Sequence, residues 1–164
     1  MVTVAWLARS GAGKHFIEAC AWSRPLPHKM TLRFDTDIRT MRAIRRFVHD
    51  LVLIQGGTDE DASAVAIATG EVLNNAYEHA YAGQSGPLEL DVVYDEAKVE
   101  LTIHNHGARI TEVPVIPTAP PSGRRGRGLY LVGQLTDESE FLHPGPETSP
   151  VGIGVRLAKY LRRS

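Results

Sequence analysis

From Thr31 onward the apolar positions fall into regular intervals. Residues 32–34 alternate as a short strand. Asp35, Thr36 and Asp37 then offer N-caps for a helix whose apolar stripe steps through Ile38, Met41, Ile44, Val48 and Leu51. Gly56-Gly57 stops it. Asp59 caps a second helix expected over residues 60–81, with Ala62, Val65, Ala66, Thr69, Val72, Leu73 and Ala76 on its buried side and Gly83 at its end. Two alternating segments follow, residues 88–94 and 99–104, and the link Asp95-Glu96-Ala97-Lys98 makes them an antiparallel hairpin. A stretch with little regular pattern, residues 105–125, holds Pro114, Pro117, Pro120 and Pro121; a loop that long inside a domain is usually functional or mobile. Gly126-Arg127-Gly128 opens a third helix running to about Leu135. A second hairpin is expected from residues 140–143 and 151–157 around Pro144-Gly145-Pro146. This order predicts an α+β two-layer sandwich, with helices on one face of a mostly antiparallel sheet.

Residues 1–29 break that regularity, with Trp6, Gly11, Gly13, Trp22, Pro25 and Pro27 and no sustained period, and read as an extension to a domain of residues 30–164. They are either an arm that packs on the domain or a partner, or the product of a mis-set start, with Met30 the true beginning. Gly11-Ala12-Gly13-Lys14 imitates a phosphate loop, yet the first glycine of that motif falls on Ala8 and His15 follows the lysine. The length of 164 residues fits one core, since a domain takes on the order of 100 to 200. With 43% hydrophobic and 23% charged residues, disorder and collagen-like repeats are excluded. A net charge of -1 gives no reason to expect direct nucleic-acid or membrane binding. Cys20 is the only cysteine, so an internal disulfide is excluded and a cytoplasmic setting is expected. No apolar run reaches the ~18 residues that span a bilayer.

Charge distribution says more than the total. Arg124, Arg125 and Arg127 crowd into Gly123-Arg124-Arg125-Gly126-Arg127-Gly128 at a helix start, where exposed N–H groups, the helix dipole and guanidinium groups would hold an anion. The alternative is an ordinary glycine-containing helix entry with solvated arginines. On the second helix Glu71, Asn75, Glu78 and His79 fall on one face. A carboxylate and an amide one turn apart suit a site where Glu71 takes a proton or orients a nucleophile while the oxygen of Asn75 coordinates Mg²⁺. By spacing alone, a solvated polar face serves equally.

Glu71-Val72-Leu73-Asn74-Asn75-Ala76-Tyr77-Glu78-His79-Ala80-Tyr81 resembles the N-box of the GHKL (Bergerat-fold) ATPase and kinase superfamily. It is closest to the RsbW/SpoIIAB-type anti-sigma-factor serine kinases, whose version reads E-x-x-x-N-A-x-x-H-A-Y. Gly126-Arg127-Gly128-Leu129-Tyr130-Leu131-Val132 resembles their second glycine box, and the resemblance covers roughly residues 30 to 160. It implies a Bergerat-type ATP-binding fold with ATP and Mg²⁺ as cofactors. Glu71 would be general base for a protein serine hydroxyl and Asn75 the Mg²⁺ ligand; Gly126 and Gly128, with Leu129, Arg124, Arg125 and Arg127, would line the phosphate side. Residues 110–125 would form the ATP lid, and His79 would pack and hydrogen-bond at the helix end. Where the family has D-x-G-x-G, this chain has Asn105, Gly107 and Arg109. Asn105 would accept the adenine amino proton through a neutral oxygen, losing a charge-assisted bond worth roughly 1 to 2 kcal/mol more, so weaker ATP binding is expected. Arg109 lacks the backbone freedom of the glycine it replaces.

The resemblance thus implies an ATP-dependent serine/threonine protein kinase that phosphorylates a STAS-type anti-sigma-factor antagonist and sequesters a sigma factor, as a homodimer. The alternative is an adaptor with weak or no catalysis that acts only by binding proteins. Arg39, Arg42, Arg45 and Arg46 on the first helix offer a surface for an acidic partner, or form a solvated basic face.

Overall fold

The computed structural model describes residues 27–107, 114–122, 126–142 and 152–162. The N-terminal phosphate-loop imitation, Arg109, Arg124, Arg125 and the turn Pro144-Gly145-Pro146 lie outside the described residues. Five strands, β1 (His28–Asp35), β2 (Pro87–Tyr94), β3 (Lys98–Asn105), β4 (Glu138–Leu142) and β5 (Gly154–Tyr160), form one sheet in the order β1-β2-β3-β5-β4, every neighbour antiparallel. Helices α1 (Ile38–Ile54), α2 (Asp59–Asn75) and α3 (Arg127–Leu135) cover one face, which makes the expected α+β two-layer sandwich.

The core lies between the layers. Val92, Leu101 and Leu157 stand in register across β2, β3 and β5 and meet Val48, Val52, Val65 and Leu73 from α1 and α2, all 3% exposed or less. Burying a side chain of this kind contributes roughly 1.5–3 kcal/mol. On the opposite face Arg156 sits within 3.1 Å of Glu100, Glu138 and Glu140, and Arg33 pairs with Glu89 at 2.6 Å. Such solvent-facing pairs are worth about 0–1 kcal/mol each, so the apolar layer dominates stability.

Local chemistry sets the helix starts. Asp37 caps α1 by accepting the N–H groups of Arg39 and Thr40. At α2 the cap is Thr58 rather than Asp59: its hydroxyl accepts the Asp61 N–H while the Asp61 carboxylate accepts the Thr58 N–H, a reciprocal capping box.

Several boundaries differ from expectation. β1 runs eight residues rather than three because it pairs with β2 along its whole length; Lys29 and Arg33 face outward to Asp91 and Glu89, which disguises the strand as polar chain. The β2–β3 link is shorter by one residue, closed by the Asp95 carboxylate accepting the N–H groups of Ala97 and Lys98. α2 ends at Asn75 and continues as a π-helical turn, Ala76–Ala80, in which the Tyr81 N–H donates to the Ala76 carbonyl at 3.1 Å. β4 begins two residues early at Glu138, and β5 extends to Tyr160 through Lys159. Lys159 points into the core side, where Asp137 (3.4 Å) and Asp61 (3.9 Å) neutralise it.

Burial alone would raise the Asp61 carboxyl. Hydrogen bonds from Thr58 and the Arg162 N–H, with the charge of Lys159, more than offset it and hold the group below the ordinary carboxylate range. A depressed folded-state pKa contributes stability that is present above the unfolded value, about 3.9, and lost as pH falls through the folded value. Chemical denaturation at a series of pH values should therefore show stability falling below about pH 4. Asp61→Asn should be less stable at neutral pH and flatten that acid limb.

Candidate active site

Beneath α2 and α3, at the end of the sheet where β3 finishes and β5 begins, lies a cavity of about 820 Å³. Its floor is apolar. Ile103 and Phe141 flank Val155 in register across β3, β5 and β4, and Ile153 adjoins them. Its helical wall is polar, formed by Glu71 and Asn75 of α2 and by Gly126, Arg127, Gly128 and Leu129 at the start of α3. Apolar floor and polar wall together suit a ligand with a flat apolar part and an anionic part.

The α3 start is shaped by two glycines. Gly126 precedes the helix at φ +81°, in the left-handed region that favours glycine. The N–H groups of a helix's first turn have no acceptor within the helix, and the dipole there favours an anion. Gly128 faces Glu71: a Cβ at this position would lie 2.5 Å from Glu71 Oε2. Glycine here leaves the space beside the first turn of α3 to the Glu71 carboxylate.

Asn75, one turn after Glu71, is half-buried, and its Nδ2 has no hydrogen-bond partner among the described residues. The Nδ2 can only donate, so it is the Oδ1 of this side chain that could face a cation in the cavity. The residues present fit a nucleotide and its divalent cation: amide and carboxylate on one wall, the N-terminal turn of a helix beside them, an apolar floor.

At the floor's polar edge Asn105 is 8% exposed. Its Nδ2 donates to the Ile153 carbonyl at 3.1 Å and its Oδ1 accepts the Gly107 N–H at 3.3 Å. Gly107 itself does not line the cavity; it packs on the Ala80 carbonyl so closely that a Cβ would collide with it. Tyr81 locks the same corner, its hydroxyl donating to the Pro87 carbonyl and accepting the His106 N–H at 2.9 Å. Burial pushes the Tyr81 phenol up, and the nearby Asp35 charge adds to this, so the hydroxyl keeps its proton at neutral pH.

The structure thus gathers Glu71, Asn75, Asn105, Gly126, Arg127, Gly128 and Leu129 around one cavity. His79 also lines it but is exposed and makes no ring hydrogen bond among the described residues, unlike the packed histidine expected at the helix end. Sequence reasoning misses the floor. Ile103 and Val155 are legible as inward residues, but their meeting with Phe141 depends on a strand order that no local pattern carries.

The histidine kinase-like ATPase domain family model matches residues 34–159. Anti-sigma F factors of Bacillus thuringiensis and Bacillus cytotoxicus are each 27% identical over 143 residues, covering 84% of this chain and 95% of those proteins. Among solved structures, that of the RsbU and RsbW domains of a Mycobacterium tuberculosis protein superposes with a TM-score of 0.60 at 19% identity, covering 84% of this chain and 33% of that one. At that identity the likeness shows the fold. Among the described residues no helix is long and apolar enough to cross a membrane.

Proposed function

Because the chain belongs to the histidine kinase-like ATPase domain family, we propose that it binds Mg²⁺ and ATP in this cavity, transfers the γ-phosphoryl group to a serine of an anti-sigma-factor antagonist, and sequesters a sigma factor. The observation that carries the reading is the convergence of Glu71, Asn75 and the start of α3 on one cavity. The anti-sigma F factors that the chain resembles supply the partner class.

Phosphoryl transfer asks little covalent chemistry of a protein and much positioning. Glu71 would take the proton of the serine hydroxyl as the serine oxygen bonds to the γ-phosphorus and the bond to the β–γ bridging oxygen breaks. The N–H groups from Gly126 to Leu129, with Arg127, Arg124 and Arg125, would hold the phosphate oxygens, and Asn75 would ligate the cation. Mg²⁺, when bound, neutralises charge on the phosphates. Arg39, Arg42, Arg45 and Arg46 are exposed on α1 and would offer a basic face to a protein partner of a homodimer.

The test is transfer of labelled phosphate from ATP to a STAS-type antagonist in the presence of Mg²⁺. Phosphoserine on the antagonist is expected; binding of the antagonist and a sigma factor without any transfer would favour the adaptor reading. That second reading draws on Asn105, whose side chain already has partners in Ile153 and Gly107.

Gly128→Ala separates catalysis from stability. Alanine favours a helix over glycine by about 0.8–1 kcal/mol, and the atom it meets is the mobile end of Glu71, so the melting temperature should hold or rise. Displacing the carboxylate should cost turnover tenfold or more, as misplacements of about 1 Å in a reacting geometry do.

A further inference from the structure

Asn105 is the one polar side chain that the sheet strands bring to the cavity floor among the described residues; its neighbours there are Ile103, Phe141, Ile153 and Val155. Among the strand residues described there, its carboxamide is the group able to hydrogen-bond a flat heterocycle by its side chain. The amide cannot turn over. Ile153 presents a carbonyl, which only accepts, and Gly107 an N–H, which only donates, so Nδ2 must face the first and Oδ1 the second. The backbone N–H of Asn105 also donates to the Ile153 carbonyl, at 3.1 Å, and fastens the residue from both ends.

A carboxamide has two N–H bonds and two acceptor lone pairs. With one of each committed to Ile153 and Gly107, one N–H and one lone pair remain for a ligand. A carboxylate in the same place would offer lone pairs alone, and would set an oxygen against the Ile153 carbonyl oxygen with no proton between them. It could meet an amino group on a base but would repel an oxo group. The carboxamide meets either.

Resting on the nucleotide reading of this cavity, we infer that Asn105 makes the site tolerant at the purine 6-position, so that 6-oxo purine nucleoside triphosphates bind alongside ATP. Asparagine here is then a change of specificity rather than only a loss of affinity.

Inosine triphosphate tests the point, since it carries an oxo group where adenine has its amine, and with it a proton on N1 where adenine has a lone pair. Calorimetric or competition titrations with Mg²⁺ should give wild-type dissociation constants for ATP and ITP within about threefold of each other. Asn105→Asp should bind ATP at least tenfold more tightly than ITP, because an unpaired buried acceptor facing an oxo group is penalised. A wild-type protein that itself prefers ATP over ITP by more than about tenfold overturns the inference, whether or not the variant folds. Absence of binding by ATP overturns the nucleotide reading itself and this inference with it. Binding of ATP without ITP overturns the inference alone.

Discussion

Glu71→Gln is expected to lower phosphoryl transfer to a serine acceptor by about 10²- to 10⁴-fold, the usual contribution of a positioned general base, while ATP affinity changes little. Glutamine preserves the shape and the hydrogen-bonding oxygen but cannot take a proton at neutral pH. Gly128 leaves room for either side chain against α3, so the cavity wall should stay as it is. The expected pattern is a fall in kcat with KM for ATP nearly constant, the signature of an interaction used only in the transition state. Equal losses in ATP affinity and turnover would instead make Glu71 a binding residue.

Asn75→Ala should produce the opposite split between stability and binding. Alanine is the best helix former, and the substitution removes an amide nitrogen that is buried without a partner, so thermal stability should hold or improve. Mg²⁺-dependent ATP binding should weaken on the order of a hundredfold, since even the groups that merely orient a metal ligand are worth 10- to 100-fold in affinity. Differential scanning fluorimetry and calorimetry on the same preparation would read both. A residue kept for packing would show the reverse, a lower melting temperature with unchanged binding.

Glu71 and Asn75 are legible in the sequence because the relation between them is local. Positions four apart on a helix share a face whatever the rest of the chain does. The glycines at the start of α3 are legible for the same reason. Of the α1 stripe Ile38, Met41, Ile44, Val48 and Leu51, the last three are buried as expected, while Met41 is half-buried and Ile38, in the first turn, is exposed; the alternations in β2 and β3 likewise emerge from short-range periodicity.

What escapes a reading of the sequence depends on distant partners. The strand order places β5 between β3 and β4, and this brings Ile153 to Asn105 across 48 residues of chain. Asn105 can be picked out as a substitution, but not as a residue held at both ends of its amide. By its pattern β5 finishes at Leu157 because Lys159 breaks the apolar alternation; the acidic residues of α2 and of the α3–β4 turn, Asp61 and Asp137, make a lysine tolerable there. The π-helical turn reads as plain α-helix because its cause lies elsewhere, where Tyr81 is tied to Pro87 and His106 and Gly107 packs against Ala80. Tertiary contacts override local propensity at the corner that borders the site.

The most direct test of the account is a calorimetric titration of the wild-type protein with ATP, with and without Mg²⁺. Saturable one-site binding that is strengthened by Mg²⁺ is predicted, weaker than a carboxylate at position 105 would allow but measurable. No heat up to millimolar ATP in either condition would contradict it, and would leave the cavity, Asn75 and the start of α3 without the ligand to which they are assigned.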